Sequence, residues 1–143
     1  MYAKIVDDAV AAYPYTLSDL KTDNPSTSFP ATTTDALLQG YKMYPVTQSD
    51  LPDHDGLISY VEEATPTLVD GAWTQTWQVK NYELLIQKRN VRQERDKLLF
   101  ETDYLALSDN TLSSEMAAYR QALRDVPAQA GFPASVTWPT KPS

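Results

Sequence analysis

Over the first eighty residues the apolar positions come in short runs; after Lys80 their period lengthens to that of a helix. Ile5-Val6 and Ala9-Val10 flank Asp7-Asp8, which predicts a hairpin between Tyr2 and Tyr15, with Pro14 ending its second strand or leaving it at an edge. Thr16 to Lys21 reads as one short helix, capped by Thr16 or Ser18 and closed by Asn24-Pro25. Thr27 to Pro30 is expected to be extended. Thr34 to Gly40 predicts a second capped turn of helix, with Gly40 as its stop. Tyr41 to Val46 returns to strand character, and residues 47–56 form a polar loop. Leu57 to Val69 is strand-like and is expected to break at Pro66. Asp70-Gly71 then leads into Ala72 to Val79, the strongest hairpin signal in the chain. Alternation puts Trp73, Gln75, Trp77 and Val79 on one face, expected to be the buried one.

From Asn81 to Glu101 there is no Pro or Gly, and good helix formers dominate. Leu84, Val91, Leu98 and Leu105 recur every seven residues, but Lys88, Arg95 and Thr102 occupy the complementary positions, so this is no coiled-coil seam. Val91 is the only apolar residue between Gln87 and Lys97. Such a helix is expected to be anchored at its apolar ends, Leu84-Leu85-Ile86 and Leu98-Leu99-Phe100, with an exposed middle. Ser108-Asp109-Asn110 predicts a break. A second helix follows from Leu112 to Asp125, with Met116, Tyr119, Leu123 and Val126 as its apolar stripe and Pro127 as its stop. The remainder, with Gly131, Phe132-Pro133, Val136, Trp138-Pro139 and Pro142, is too apolar for a solvated tail and too Pro-rich for a helix. It is expected to dock on this domain or on another chain. The fold class is therefore α+β. A small antiparallel β-rich domain with short helices (1–80) precedes a helical module (81–143) of a long helix, a second helix and an extended Pro-rich segment.

Composition narrows the function. The 143 residues contain no Cys, which excludes disulfides, thiol catalysis and thiolate metal sites. The formal net charge is −7, and it is uneven: residues 1–80 hold four Lys/Arg and eleven Asp/Glu, residues 81–143 eight of each. An acidic surface repels phosphate, so neither nucleic acid nor an anionic membrane is an expected partner. The basic cluster Lys88, Arg89, Arg92, Arg95 and Lys97 is interleaved with Glu94 and Asp96, the pattern of a solvated helix face. No run of apolar residues is long enough to span a bilayer. Tyr2 to Asp8 lacks a basic region followed by an apolar run, so no signal peptide is expected.

Candidate chemistry is sparse. His54, in Asp53-His54-Asp55-Gly56, is the only histidine and has no nucleophile motif beside it. Leu51 to Glu62 partly follows a calcium-loop spacing, with Asp53, Asp55, Gly56 and Glu62 in register; Leu51 stands where an oxygen ligand should, and a polar turn explains the residues as well. Asp7-Asp8 and Glu62-Glu63 are adjacent pairs that point to opposite faces of a strand. No phosphate-binding glycine loop, metalloprotease motif or serine nucleophile elbow is present. No enzyme, cofactor or metal is expected. Tyr13-Pro14-Tyr15, Tyr41 and Tyr44-Pro45 offer either a contact surface or a cover for a small sheet.

One ordered set of residues carries a resemblance. Arg92 to Leu99, Thr102-Asp103-Tyr104, Tyr119 to Pro127, Gly131-Phe132-Pro133 and Trp138-Pro139 together resemble the C-terminal module of the bacteriophage tail assembly chaperone family. Tyr2 to Val6, Tyr13-Pro14-Tyr15, Asn24-Pro25 and Ser28-Phe29-Pro30 look like the part found before that module in phage tail-fibre-associated proteins. The resemblance implies a non-enzymatic phage protein that binds a tail-fibre or baseplate protein during assembly. The alternative is a permanent virion component, a fibre- or baseplate-attached adaptor. It would act in the virion tail or in the host cytoplasm, and an oligomer within the tail is compatible with either. Matched positions that would meet the partner are Arg92, Arg95, Tyr119, Arg120, Arg124, Phe132 and Trp138. Structural pairing is the competing role: Arg92 with Asp96 at i, i+4, and Arg120 or Arg124 with Asp103 across a helical hairpin.

Overall fold

The computed structural model describes residues 1–107 and 111–142; the break expected at Ser108-Asp109-Asn110 lies outside the described residues. The chain divides into two compact units, Met1–Asp53 with Val61–Gln78 and His54–Tyr60 with Val79–Ser143. Strands β1 (Tyr2–Val6), β2 (Ala9–Ala12), β3 (Met43–Thr47), β4 (Ser59–Val69) and β5 (Ala72–Asn81) form one sheet in the order β2-β1-β3-β5-β4. Helices α1 (Leu17–Asp23) and α2 (Asp35–Gly40) lie between β2 and β3 in sequence; α3 (Leu84–Phe100) and α4 (Ser114–Asp125) follow the sheet.

Both hairpins turn where the sequence predicts. Asp7 and Asp8 have φ of 50° and 58°, and Asp70 and Gly71 have 48° and 81°, the paired positive values of a type I′ turn. The sheet is mixed rather than antiparallel throughout. β1 runs antiparallel to β2 and β3, but β3 pairs with β5 in parallel, Val46 against Trp73 and Thr47 against Thr74. Parallel neighbours need a crossover, and residues 48–71 supply one that includes β4. Nor does β4 break at Pro66: the strand runs on to Val69. It is one of the sheet's two edge strands, where a residue without an N–H leaves no ladder partner unsatisfied.

The first unit is built on the two faces of β1 and β3. Tyr15, Leu20, Leu38 and Met43 form one cluster, joined by Tyr2, Phe29 and Tyr41, on the face covered by α1 and α2. Ala3, Ile5 and Val46 form the other, joined by Tyr13, Tyr44 and Trp73. The tyrosines of the first unit therefore cover its two cores. Thr16 caps α1 through a reciprocal bond with Asp19, and Thr34 caps α2. Gly40 ends α2, but the left-handed residue of the turn into β3 is Lys42 (φ 65°). On β5 the deepest residue of the expected buried face is Gln75; Trp73 and Trp77 are half-buried and Val79 is exposed. Gln75 lies deep because it is bonded: its side-chain amide donates to Glu63 (2.6 Å) and accepts from the Ser49 N–H (3.4 Å), and its backbone carbonyl accepts from the Ser49 hydroxyl (2.7 Å). Tyr13 donates to the same Glu63 carboxylate, and burial first, then that bond, pushes its hydroxyl up to about 12.

In the second unit α4 buries its stripe as expected. Met116, Tyr119 and Leu123 form a cluster with Leu98, Leu99, Leu105, Leu112 and Trp138, and Val126 is fully buried. The Pro-rich segment is not uniformly extended: residues 129–135 turn, and only 136–142 lack regular structure. Gly131 permits that turn. A Cβ there would stand 2.2 Å from the Ser135 carbonyl oxygen, which belongs to a backbone already bonded back to Gly131 (Ser135 N to Gly131 O, 2.7 Å).

Two predictions follow from these contacts. Gly131→Ala should destabilise the second unit by about 1–3 kcal/mol, because backbone must move to admit the methyl group; thermal or urea unfolding measures it. Asp23 is held below the usual carboxylate range first by its bond from Lys4 (2.5 Å) and then by that from Tyr15 (2.7 Å). Asp19 is held down by its bonds from Thr16. Native pKa values lie below unfolded ones, so this stabilisation is complete above about pH 4 and is lost as pH falls through the native values. Asp23→Asn should therefore flatten the fall of melting temperature below about pH 4.

Candidate functional site

Helix α3 carries two of the candidate positions, exposed Arg92 and half-buried Arg95, and its faces separate cleanly. At about 100° per residue, Gln87, Val91 and Leu98 fall on one side, while Leu85, Arg89, Arg92 and Asp96 fall on the opposite side. Gln87 and Val91 are buried. The expected anchoring holds in part: Leu98 and Leu99 pack on the α4 cluster and Arg89, Arg92, Gln93 and Asp96 are exposed, but Leu84, Leu85 and Phe100 are exposed too, and Val91 buries one side of the middle. Hydrogen bonds hold the first half of the helix. Gln87 donates to the Tyr82 carbonyl (2.6 Å), and Asn90 donates to that of Leu57 (3.0 Å). Three consecutive apolar residues span about 200° of a helix, so Leu84-Leu85-Ile86 cannot all face one core.

The outward side forms a groove of about 470 Å³ lined by Leu85, Ile86, Arg89, Arg92, Gln93 and Asp96. Leu85 is 74% exposed. Arg92 is exposed, and its guanidinium lies 5.5 Å from the centre of the Phe132 ring, so the turn at Gly131 brings a half-buried aromatic to this face. Asp96 pairs with Arg95 (2.5 Å), not with Arg92 as the i, i+4 spacing suggested, and Lys97 pairs with Glu94 (3.4 Å). Adjacent Arg95 reaches the carboxylate while Arg92 is drawn to the ring. Among the described residues Lys88, Arg89 and Arg92 have no ion-pair partner.

The other matched positions are placed differently. Arg120 is buried and donates to the Leu99 carbonyl (3.0 Å), the Thr102 hydroxyl (2.6 Å) and the Asp103 carboxylate (2.7 Å). Of the two arginines expected to reach Asp103, this is the one that does; Arg124, one turn further along α4, is exposed. Tyr119 is buried in the α4 cluster, its hydroxyl pushed up chiefly by burial and then by the Glu101 carboxylate. Trp138 packs half-buried on the same cluster, so the C-terminal segment docks within this unit.

The polar loop does local work. The Asp55 carboxylate accepts from the Leu57 N–H (2.9 Å), and its carbonyl accepts from the N–H groups of Ile58 (3.0 Å) and Ser59 (2.8 Å). That is the turn reading of the Leu51–Glu62 spacing. Among the described residues no group of three or more His, Cys, Asp and Glu converges as metal ligands would. Sequence reasoning missed two features, the Tyr13–Glu63–Gln75 network and the outward side of α3. The latter was legible in the wheel positions of Leu85, Arg89 and Arg92.

Residues 88–143, about two fifths of the chain, match the family model described as phage tail assembly chaperone protein. Over that segment the resemblance is a family match, and it supports a role in phage tail assembly. No curated protein and no solved structure matches the chain. Among the described residues no helix is long and apolar enough to cross a membrane.

Arg120→Met removes three hydrogen bonds and leaves the fully buried Thr102 hydroxyl without its donor. The expected loss is about 2–3 kcal/mol in denaturant unfolding. Asp103→Asn should cost under about 1 kcal/mol, since that carboxylate is 58% exposed.

Proposed function

We propose that the protein is a non-enzymatic phage tail assembly protein that binds a tail-fibre or baseplate protein, acting in the host cytoplasm during assembly or in the virion tail. The observation that carries this reading is the apolar surface left uncovered on the family-matched module. Phe100, Tyr104 and Leu107 are 77%, 60% and 57% exposed, close in sequence to the outward side of α3. Large apolar side chains in water on so small a unit mark an interaction surface. Arg92 and Arg124, which are exposed, and half-buried Phe132 are the matched residues this reading assigns to the partner; Arg95 is paired with Asp96 on the same helix. Tyr119, Arg120 and Trp138 serve the binding reading by holding the module together.

Affinity purification of the tagged chain from infected cells, with quantitative mass spectrometry of the eluate and of purified particles, tests the proposal. Co-purification with a fibre or baseplate protein is expected. Absence from finished particles would make the protein a chaperone that leaves; a fixed copy number per particle would make it a permanent adaptor. Neither co-purification nor presence in particles would overturn the proposal.

A further inference from the structure

The outward side of α3 is specific about the chemistry it would accept. Its groove is apolar at the N-terminal end, where Leu85 and Ile86 lie, and cationic beyond it, where Arg89 and Arg92 follow one and two turns later. Lys88 stands on the flank of the same side. The cations of α3 fall into two groups. Arg95 and Lys97 are neutralised by Asp96 and Glu94 within the helix, while Lys88, Arg89 and Arg92 have no carboxylate within ion-pair distance among the described residues. The helix contains acidic residues enough to pair some of its cations, yet those bordering the apolar groove are left over. Three positive charges bordering exposed Leu85 and half-buried Ile86 form the complement of a segment that is apolar and acidic together.

Resting on the tail-assembly reading, we propose that the groove over Leu85, Ile86, Arg89 and Arg92 is the docking site for an acidic, apolar peptide segment of the partner protein. The segment's apolar side chains lie on Leu85 and Ile86, and its carboxylates are paired by Arg89 and Arg92. Arg is suited to this task, since its planar fork binds a carboxylate through two parallel N–H groups. Phe132 fixes the position of the Arg92 guanidinium from the far side, so the turn at Gly131 contributes to the site without touching the ligand. Binding should be salt-sensitive, because the pairs lie at an open surface.

The test uses the full chain and two fluorescein-labelled fifteen-residue peptides with Leu at i, i+3, i+4 and i+7, one carrying Glu and the other Lys at the positions between. The wild type should bind the Glu peptide at least tenfold more tightly than the Lys peptide, with the preference shrinking as salt is raised. The double variant Arg89→Glu/Arg92→Glu should lose at least tenfold for the Glu peptide and gain for the Lys peptide, while still unfolding cooperatively with a melting temperature lowered by a few degrees at most, because both side chains are exposed and only the Arg92–Phe132 contact is lost. Leu85→Ala should weaken both peptides severalfold. Equal binding of the two peptides, or a double variant that still binds the Glu peptide as the wild type does, would overturn the proposal. So would wild-type self-association in sedimentation that the double variant abolishes, since the occupant would then be a second copy. Failure of the broader reading looks different: the Glu peptide binds as expected, but no fibre or baseplate protein co-purifies.

Discussion

At the end of α3 the chain must reverse towards α4, and a helix end leaves carbonyls without partners. Arg120 resolves this from the other helix. Its guanidinium takes the Leu99 carbonyl and the Thr102 hydroxyl, while that hydroxyl itself donates to Leu99 (2.9 Å). Its second nitrogen reaches out to Asp103. A single charged group thus closes α3, fixes the following 3-10 turn (Asp103–Ala106) and sets α4 so that Met116, Tyr119 and Leu123 face Leu98 and Leu99. Trp138 can lie on that cluster only once it exists. The outward side of α3 inherits its orientation from the same arrangement, because the helix is committed to burying Gln87 and Val91.

This explains why the family-matched residues divide as they do. Arg120, Asp103 and Gly131 solve backbone problems: an open helix end and a turn too tight for a methyl group. Arg92 and Phe132 solve no such problem for the buried core. Their mutual contact costs the core nothing and leaves one face of the guanidinium available at the surface.

Local signals were the legible part of the fold. Asp7-Asp8, Asp70-Gly71, Thr16 and Thr34 each act within a few residues, and each does what its chemistry predicts. The stripe Met116, Tyr119, Leu123 and Val126 was legible because a period of 3.6 needs no knowledge of the partner. What could not be read depended on residues far apart in sequence. Pro66 is harmless only because β4 lies at an edge, and that position follows from the parallel pairing of β3 with β5. Gln75 lies deep only because Ser49 and Glu63 are brought to it. On α3, hydropathy favoured Leu84-Leu85-Ile86 as the anchor, but Gln87 and Asn90 hold that end through carbonyls of residues 82 and 57. Amide-to-carbonyl anchoring has no hydropathy signature. The candidate site was half legible: the basic cluster was visible, but which of its cations were left unpaired required the geometry.

The pairing of β3 with β5 also bears on synthesis. β1 covers one edge of β3 as soon as residue 47 has emerged, but the other edge waits for Trp73 and Thr74. For some two dozen residues of translation the nascent chain carries an open row of N–H and C=O groups beside an apolar face, which is a template for a strand of any neighbouring chain. Polysomes crowd such chains together. The segment that emerges next, residues 48–69, carries five carboxylates and no Lys or Arg, a charge that repels its copies until β5 shuts the edge.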